Sequence, residues 1–177
     1  MTTDQRFREV FDLLERRIEE RWDIPVRVRD VKSPFTGDLD GAEIQIDYDL
    51  TAEEGLFILV HLFGHTVQWN LSARAREIGS AVVRSPSAAL LLELEEYERE
   101  AARYSLRLFH EAGVVDLDQW LSDFAACDFA YLRHFYRTGE KLPFRGFWKD
   151  GQPILEPLAI PAFQPTCWRS RWQGVVV

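Results

Sequence analysis

A chain of 177 residues with a formal charge of −8 and a pI near 5.0 repels phosphate backbones, which argues against nucleic-acid binding as its main activity. Its 46% hydrophobic and 28% charged residues are those of one ordinary globular domain with a sizeable core, and 12 Phe, 6 Trp and 5 Tyr point to a dense core or an aromatic-lined cavity. The apolar run Leu56 to Val60 is too short to span a bilayer, and Cys127 and Cys167, far apart and with no apolar signal at the start of the chain, fit a reducing, cytoplasmic setting.

Phe7, Val10, Phe11, Leu14 and Ile18 recur at steps of three and four, so the chain begins with an amphipathic helix that Asp23 and Pro25 close. Val26 to Val31 alternates apolar and charged residues, the pattern of a strand with one solvated face. Ser33 to Gly41 reads as a loop, and Ala42 to Tyr48 alternates again as a second strand. Thr51 with Glu54 forms a capping box, opening a helix through Leu56, Leu59, Val60, Phe63, Val67 and Leu71 that is apolar around most of its girth. Such a helix belongs at the centre of the domain.

Gly79 to Pro86 is expected to be a break. Leu90, Leu94, Tyr97, Ala101, Tyr104 and Leu108 then mark a long helix that Gly113 stops. Another starts at Asp116 or Asp118 and carries Trp120, Phe124, Cys127, Tyr131 and Phe135 up to Gly139. From Lys141 onward, Pro143, Pro153, Pro157, Pro161 and Pro165 fall among Trp148, Phe163, Trp168 and Trp172, the composition of an extended arm. The expected organisation is therefore α+β and mostly helical: a core over 1–140 with a small N-terminal sheet, and a Pro/Trp-rich C-terminal arm over 141–177 packed on it. The basic clusters Arg16-Arg17 and Arg169 to Arg171 are too short to reverse the acidic balance.

The chemistry concentrates in His61-Leu62-Phe63-Gly64-His65. Histidines four residues apart on a helix project from one face and can grip one metal ion. In the zincin signature H-E-x-x-H, the residue after the first histidine is a glutamate that deprotonates the metal-bound water. Here it is Leu62, which moves no proton, so the motif argues for a metal site more strongly than for hydrolysis. The next helix supplies carboxylates: Glu93, Glu98 and Glu100 fall at the edges of the stripe through Tyr97, Ala101 and Tyr104, and spacing does not choose among them. The bland alternative makes Glu93 to Glu100 a solvated acidic face paired with Arg99, Arg103 and Arg107, and the two histidines ordinary core residues. Gln68 is placed to orient a ligand or touch substrate, Tyr97 and Tyr104 to donate to a substrate oxygen or simply to fill the core, and His110 and His134 read as structural.

The order helix, two strands, H-x-x-x-H helix, then a helix with Glu100-Ala101 and an aromatic at Tyr104 resembles the ImmA/IrrE metallopeptidase family, zinc proteins of bacteria whose members read H-E-x-G-H and then E-A-x-x-F-A. The resemblance covers about two-thirds of the chain. It implies a zincin-like fold, His61, His65 and Glu100 as ligands, zinc as the ion, and a protein or peptide partner. With the family's base replaced by Leu62, it also implies weak or absent hydrolysis, since acid–base assistance is worth roughly 10²–10⁴ in rate. Glu54, Glu98 and Asp128 are the candidate substitutes. Two other readings stay open. Two histidines and a carboxylate also make the facial triad of non-haem iron oxidoreductases, and a metal-free interaction module would keep the histidines as remnants. Homo-oligomerisation is left open as well.

Overall fold

The computed structural model describes residues 3–32, 35–81 and 85–168. They fold as α+β, about 60% helical, with five α-helices and one three-stranded sheet. Helix α1 (Thr3–Trp22) precedes β1 (Val26–Arg29), β2 (Gly37–Leu39) and β3 (Ile44–Asp47); α2 (Ala52–Leu71), α3 (Ala73–Ser80), α4 (Ala88–Glu111) and α5 (Asp118–Thr138) follow, and a single 3-10 turn covers Phe144–Phe147. Among the described residues, no helix is long and apolar enough to cross a membrane.

The sheet has the order β1-β3-β2, with β1 parallel and β2 antiparallel to β3. β2 lies inside the stretch expected to be a loop. Three residues, Gly37-Asp38-Leu39, carry no readable alternation, yet β3 pairs with all of them, Gly37 opposite Ile46 and Leu39 opposite Ile44. Asp40 closes the β2–β3 turn by accepting hydrogen bonds from the Ala42 and Glu43 amides, both at 2.8 Å. Gly37 also lies directly on α2: a Cβ there would come 2.7 Å from Leu62 Cδ1 and 2.8 Å from Ile58 Cγ2.

Helix α2 is the central helix. Every residue from Gly55 to Trp69 is buried, and α1, the sheet and α4 pack around it. Its start carries the expected capping box, with the Glu54 amide donating to Thr51 Oγ1 at 3.2 Å and Glu54 Oε2 accepting from the Thr51 amide at 3.1 Å. The break expected from Gly79 opens two residues later: Gly79 is the penultimate residue of α3, which Ala81 caps. Trp69 Nε1 and the Tyr97 hydroxyl pass 2.7 and 2.4 Å from where a Gly79 Cβ would be, so this glycine serves close packing.

The crossing of α2 and α4 positions the site. A methyl at Gly64 would lie 2.3 Å from the Ala101 carbonyl oxygen, so the two backbones meet there. One turn further along α4, Ser105 Oγ donates to Val60 O at 2.7 Å across the same seam. Beyond α5, which Gly139 ends in the left-handed conformation, residues 148–168 form no helix or strand. They lie on the body: Leu155, Leu158, Ile160 and Phe163 pack against the core, Leu158 N–H donates to Arg103 O, and Trp168 N–H to Asp40 O. The Arg169 to Arg171 cluster and Trp172 lie outside the described residues.

Gly64→Ala is expected to force α2 and α4 apart, at a cost of about 1–3 kcal/mol or more. Chemical denaturation checks it; a variant as stable as the parent would contradict the contact.

Candidate metal centre

His61 and His65 stand one turn apart on the face of α2 turned toward α4. Their Nε2 atoms are 3.1 Å apart, and Glu98 Oε2 lies 3.1 Å from His65 Nε2 and 3.7 Å from His61 Nε2. Among the described residues this is the one group of three histidine, cysteine or acidic side chains drawn together closely enough to hold a metal ion. It is secluded, with His61 6% and His65 1% exposed and the Glu98 side chain 12% exposed.

The surroundings fix the rings. Tyr97 stacks on His65 with centroids 4.4 Å apart, Phe57 stacks on His61 at 5.3 Å, and the two imidazoles meet edge to face. Gln68 decides the tautomer of His65. Its amide nitrogen donates to Tyr97 O at 2.9 Å and to Glu100 Oε2 at 2.6 Å, so its oxygen must face His65 Nδ1, 2.9 Å away, and Nδ1 carries the hydrogen. His65 Nε2 in the neutral ring is then a lone pair, and it faces the lone pairs of Glu98. A shared proton or a metal ion between them reconciles two such acceptors at 3.1 Å.

The carboxylate that meets the imidazoles is therefore Glu98, not Glu100. Glu100 lies one step outward, holding the Gln68 amide that orients His65. The stripe through Tyr97, Ala101 and Tyr104 is only one margin of the buried face. Leu91, Leu94, Ala102 and Ser105 are buried too, and at about 100° per residue they move the centre of the face onto Glu98. Of the remaining acidic residues, Glu93 and Glu96 lie in exposed ion pairs with Arg74 and Arg99, while Glu95, its side chain only 15% exposed, pairs with Arg133. Arg103 and Arg107, expected on this face, instead reach Glu156 O and Glu111.

Tyr97 is occupied as a support. Its ring lies on His65, and its hydroxyl accepts from Trp69 Nε1 at 2.9 Å beneath α3. Tyr104 sits two turns along α4 in the main core, where burial first and the Glu100 charge second raise its hydroxyl above the usual range. His110 meets Asp118 at 2.8 Å, tying the end of α4 to the start of α5, and His134 lies by Thr138 and Phe147 away from the site. Leu62 is fully buried and packs toward Gly37 of β2.

Burial and neighbouring charges set the protonation of the site. Burial, reinforced by the nearby His65 charge, brings His61 down to about 3, so its ring stays neutral and able to ligate. Burial pushes Glu98 upward, but the charge and hydrogen bond of His65 outweigh it and hold the carboxyl below its ordinary range. Asp128, on α5, is pushed well above the carboxylate range by burial and by the Glu98 charge. No protein-family model matches the chain, and no curated protein or solved structure resembles it at a significant level.

Acid should weaken the metal-free fold. The unfolded chain protonates His61 near its ordinary value of 6.5, while the folded state resists until about 3. Stability then falls as pH drops below about 6.5, because the unfolded state binds more protons. Glu98, lowered from 4.5, acts in the same direction, its contribution being lost as pH falls through its folded-state value. Asp128, raised by burial and the Glu98 charge, acts in the opposite direction, so the His61 contribution is read as a difference between variants. From about pH 7 to about pH 5 the urea midpoint of chelated parent should lose more, or gain less, than that of His61→Phe. An equal response in the two would contradict the assignment.

Proposed function

We propose that the protein is a metal-binding protein of zincin-like design, akin to ImmA/IrrE metallopeptidases, that holds a divalent ion on His61, His65 and Glu98. The observation that carries this reading is the convergence of two imidazole nitrogens and a carboxylate oxygen at 3.1, 3.1 and 3.7 Å, with the His65 lone pair aimed inward by Gln68. Ligand atoms on a tetrahedral zinc with bonds of about 2.0–2.1 Å stand about 3.3 Å apart, which these separations match. Zinc is the default ion because imidazole and carboxylate suit it. When bound, it would supply Lewis acidity at a buried position.

The chain's own residues serve the site in distinct ways. Gln68 and Tyr97 set the tautomer and plane of His65, Phe57 sets the plane of His61, and Glu100 holds Gln68. The position of the usual base contributes no proton transfer. Leu62 seals α2 against β2, and hydrolysis by the ordinary zincin route is not part of this proposal. The reading assigns the protein to binding a protein or peptide partner, with the metal as a structural or recognition element.

Elemental analysis of purified protein tests the metal. About one zinc or iron per chain is expected, lost in His61→Ala and Glu98→Gln, while Glu100→Gln keeps the ion with affinity weakened by about 10–100-fold. An ion lost with Glu100→Gln but kept in Glu98→Gln would reverse the ligand assignment. Absence of any ion, with melting unchanged by chelator, would select a metal-free module.

Restoring a glutamate at Leu62 should not restore a peptidase. Leu62→Glu would bury a carboxylate against Gly37 at a cost of about 3–5 kcal/mol. Chelator-sensitive casein cleavage by a stable Leu62→Glu variant would contradict this.

A further inference from the structure

A pocket of about 610 Å3 lies between the start of α2, the middle of α5 and residues 141–145. Its size suits a drug-sized ligand. Phe57, Phe124, Tyr131, Phe135 and Phe144 line it, and exposed Leu142 and Lys141 mark the side open to solvent. The walls are braced by ring contacts: Phe57 stacks on Phe124 with centroids 3.9 Å apart, and Tyr131 meets Phe144 at 5.7 Å. Phe57 also backs onto His61, so the pocket adjoins the metal site without including it.

Two polar groups in this apolar lining lack partners among the described residues. Asp128 is 7% exposed, lines the pocket and makes no hydrogen bond or ion pair. The Thr36 hydroxyl is buried on the same lining with no partner. Buried polar groups are ordinarily hydrogen-bonded, and an orphan aimed into a cavity marks where a ligand group belongs. A carboxyl keeps an acceptor oxygen whether or not it carries its proton, so an N–H donor on a ligand satisfies Asp128. Arg145 is taken by Glu53, and Lys141 stands at the exposed edge.

We propose that this pocket binds a large apolar, ring-bearing group carrying an N–H donor, with Asp128 accepting the hydrogen bond. The same chemistry is offered by a free aryl amide and by an aromatic residue of a peptide with its backbone N–H. None of His61, His65 and Glu98 lines this pocket.

Calorimetric titration with three probes tests it: 4-phenylbutyramide, its N,N-dimethyl analogue, and N-acetylphenylalaninamide. The primary amide binds at least about tenfold tighter than the dimethyl amide, which keeps the ring and carbonyl but has no N–H. This preference persists after chelation, which separates it from the metal proposal. Tighter binding of the peptide amide assigns the pocket to a peptide, and tighter binding of the simple amide to a small molecule. Asp128→Leu abolishes the preference while the dimethyl amide still binds, and Leu132→Trp, which intrudes on the pocket lining, weakens binding of all three. Should Asp128→Leu not fold, the comparison of amides on the parent protein still decides. Equal binding of the two butyramides, no binding by any probe, or unchanged binding in Leu132→Trp would overturn the proposal.

Discussion

Ala101 passes so close to Gly64 that the smallest side chain there would collide with its carbonyl oxygen, and this backbone contact sets the separation of α2 and α4. Ser105, one turn along, locks the same seam through Val60 O. With the helices held this near, Glu98, one turn before Ala101, reaches across to His61 and His65 instead of turning to water. A wider crossing would leave the imidazoles facing apolar side chains. The site thus depends on an absent side chain as much as on its three donors.

The supporting shell is built from the same two helices. Gln68, one turn past His65, links its ring to Tyr97 O and to Glu100, while Trp69 fixes the Tyr97 hydroxyl from behind. Each contact removes a rotational choice from His65, so core packing fixes the geometry of the site in advance. Leu62 fits this logic. On the side of α2 that meets Gly37, an apolar residue continues the core where the zincin pattern has an acid.

Much of this was legible in the chain. The capping box at Thr51 and Glu54, the all-round apolarity of α2 and the i,i+4 histidines are local patterns, and local patterns survive into the structure. β1 and β3 show in the alternation of their side chains, but β2 is three residues that become a strand only because β3 lies beside them. Gly79 stands next to the end of α3, yet the closeness of Tyr97 and Trp69 that accounts for its missing side chain is visible only in the fold. The third donor fell between these cases. Spacing admitted Glu93, Glu98 and Glu100, and Glu100 was chosen by resemblance. The buried positions Leu91, Leu94, Ala102 and Ser105 would have turned the helix face by enough to favour Glu98.

Anomalous diffraction at the zinc edge from crystals of protein supplied with zinc measures the central claim most directly. The account predicts a peak about 2.0–2.1 Å from both imidazole Nε2 atoms, with Glu98 and not Glu100 as the carboxylate beside it. No anomalous signal there, with His65 donating from a protonated Nε2 to Glu98, would contradict it.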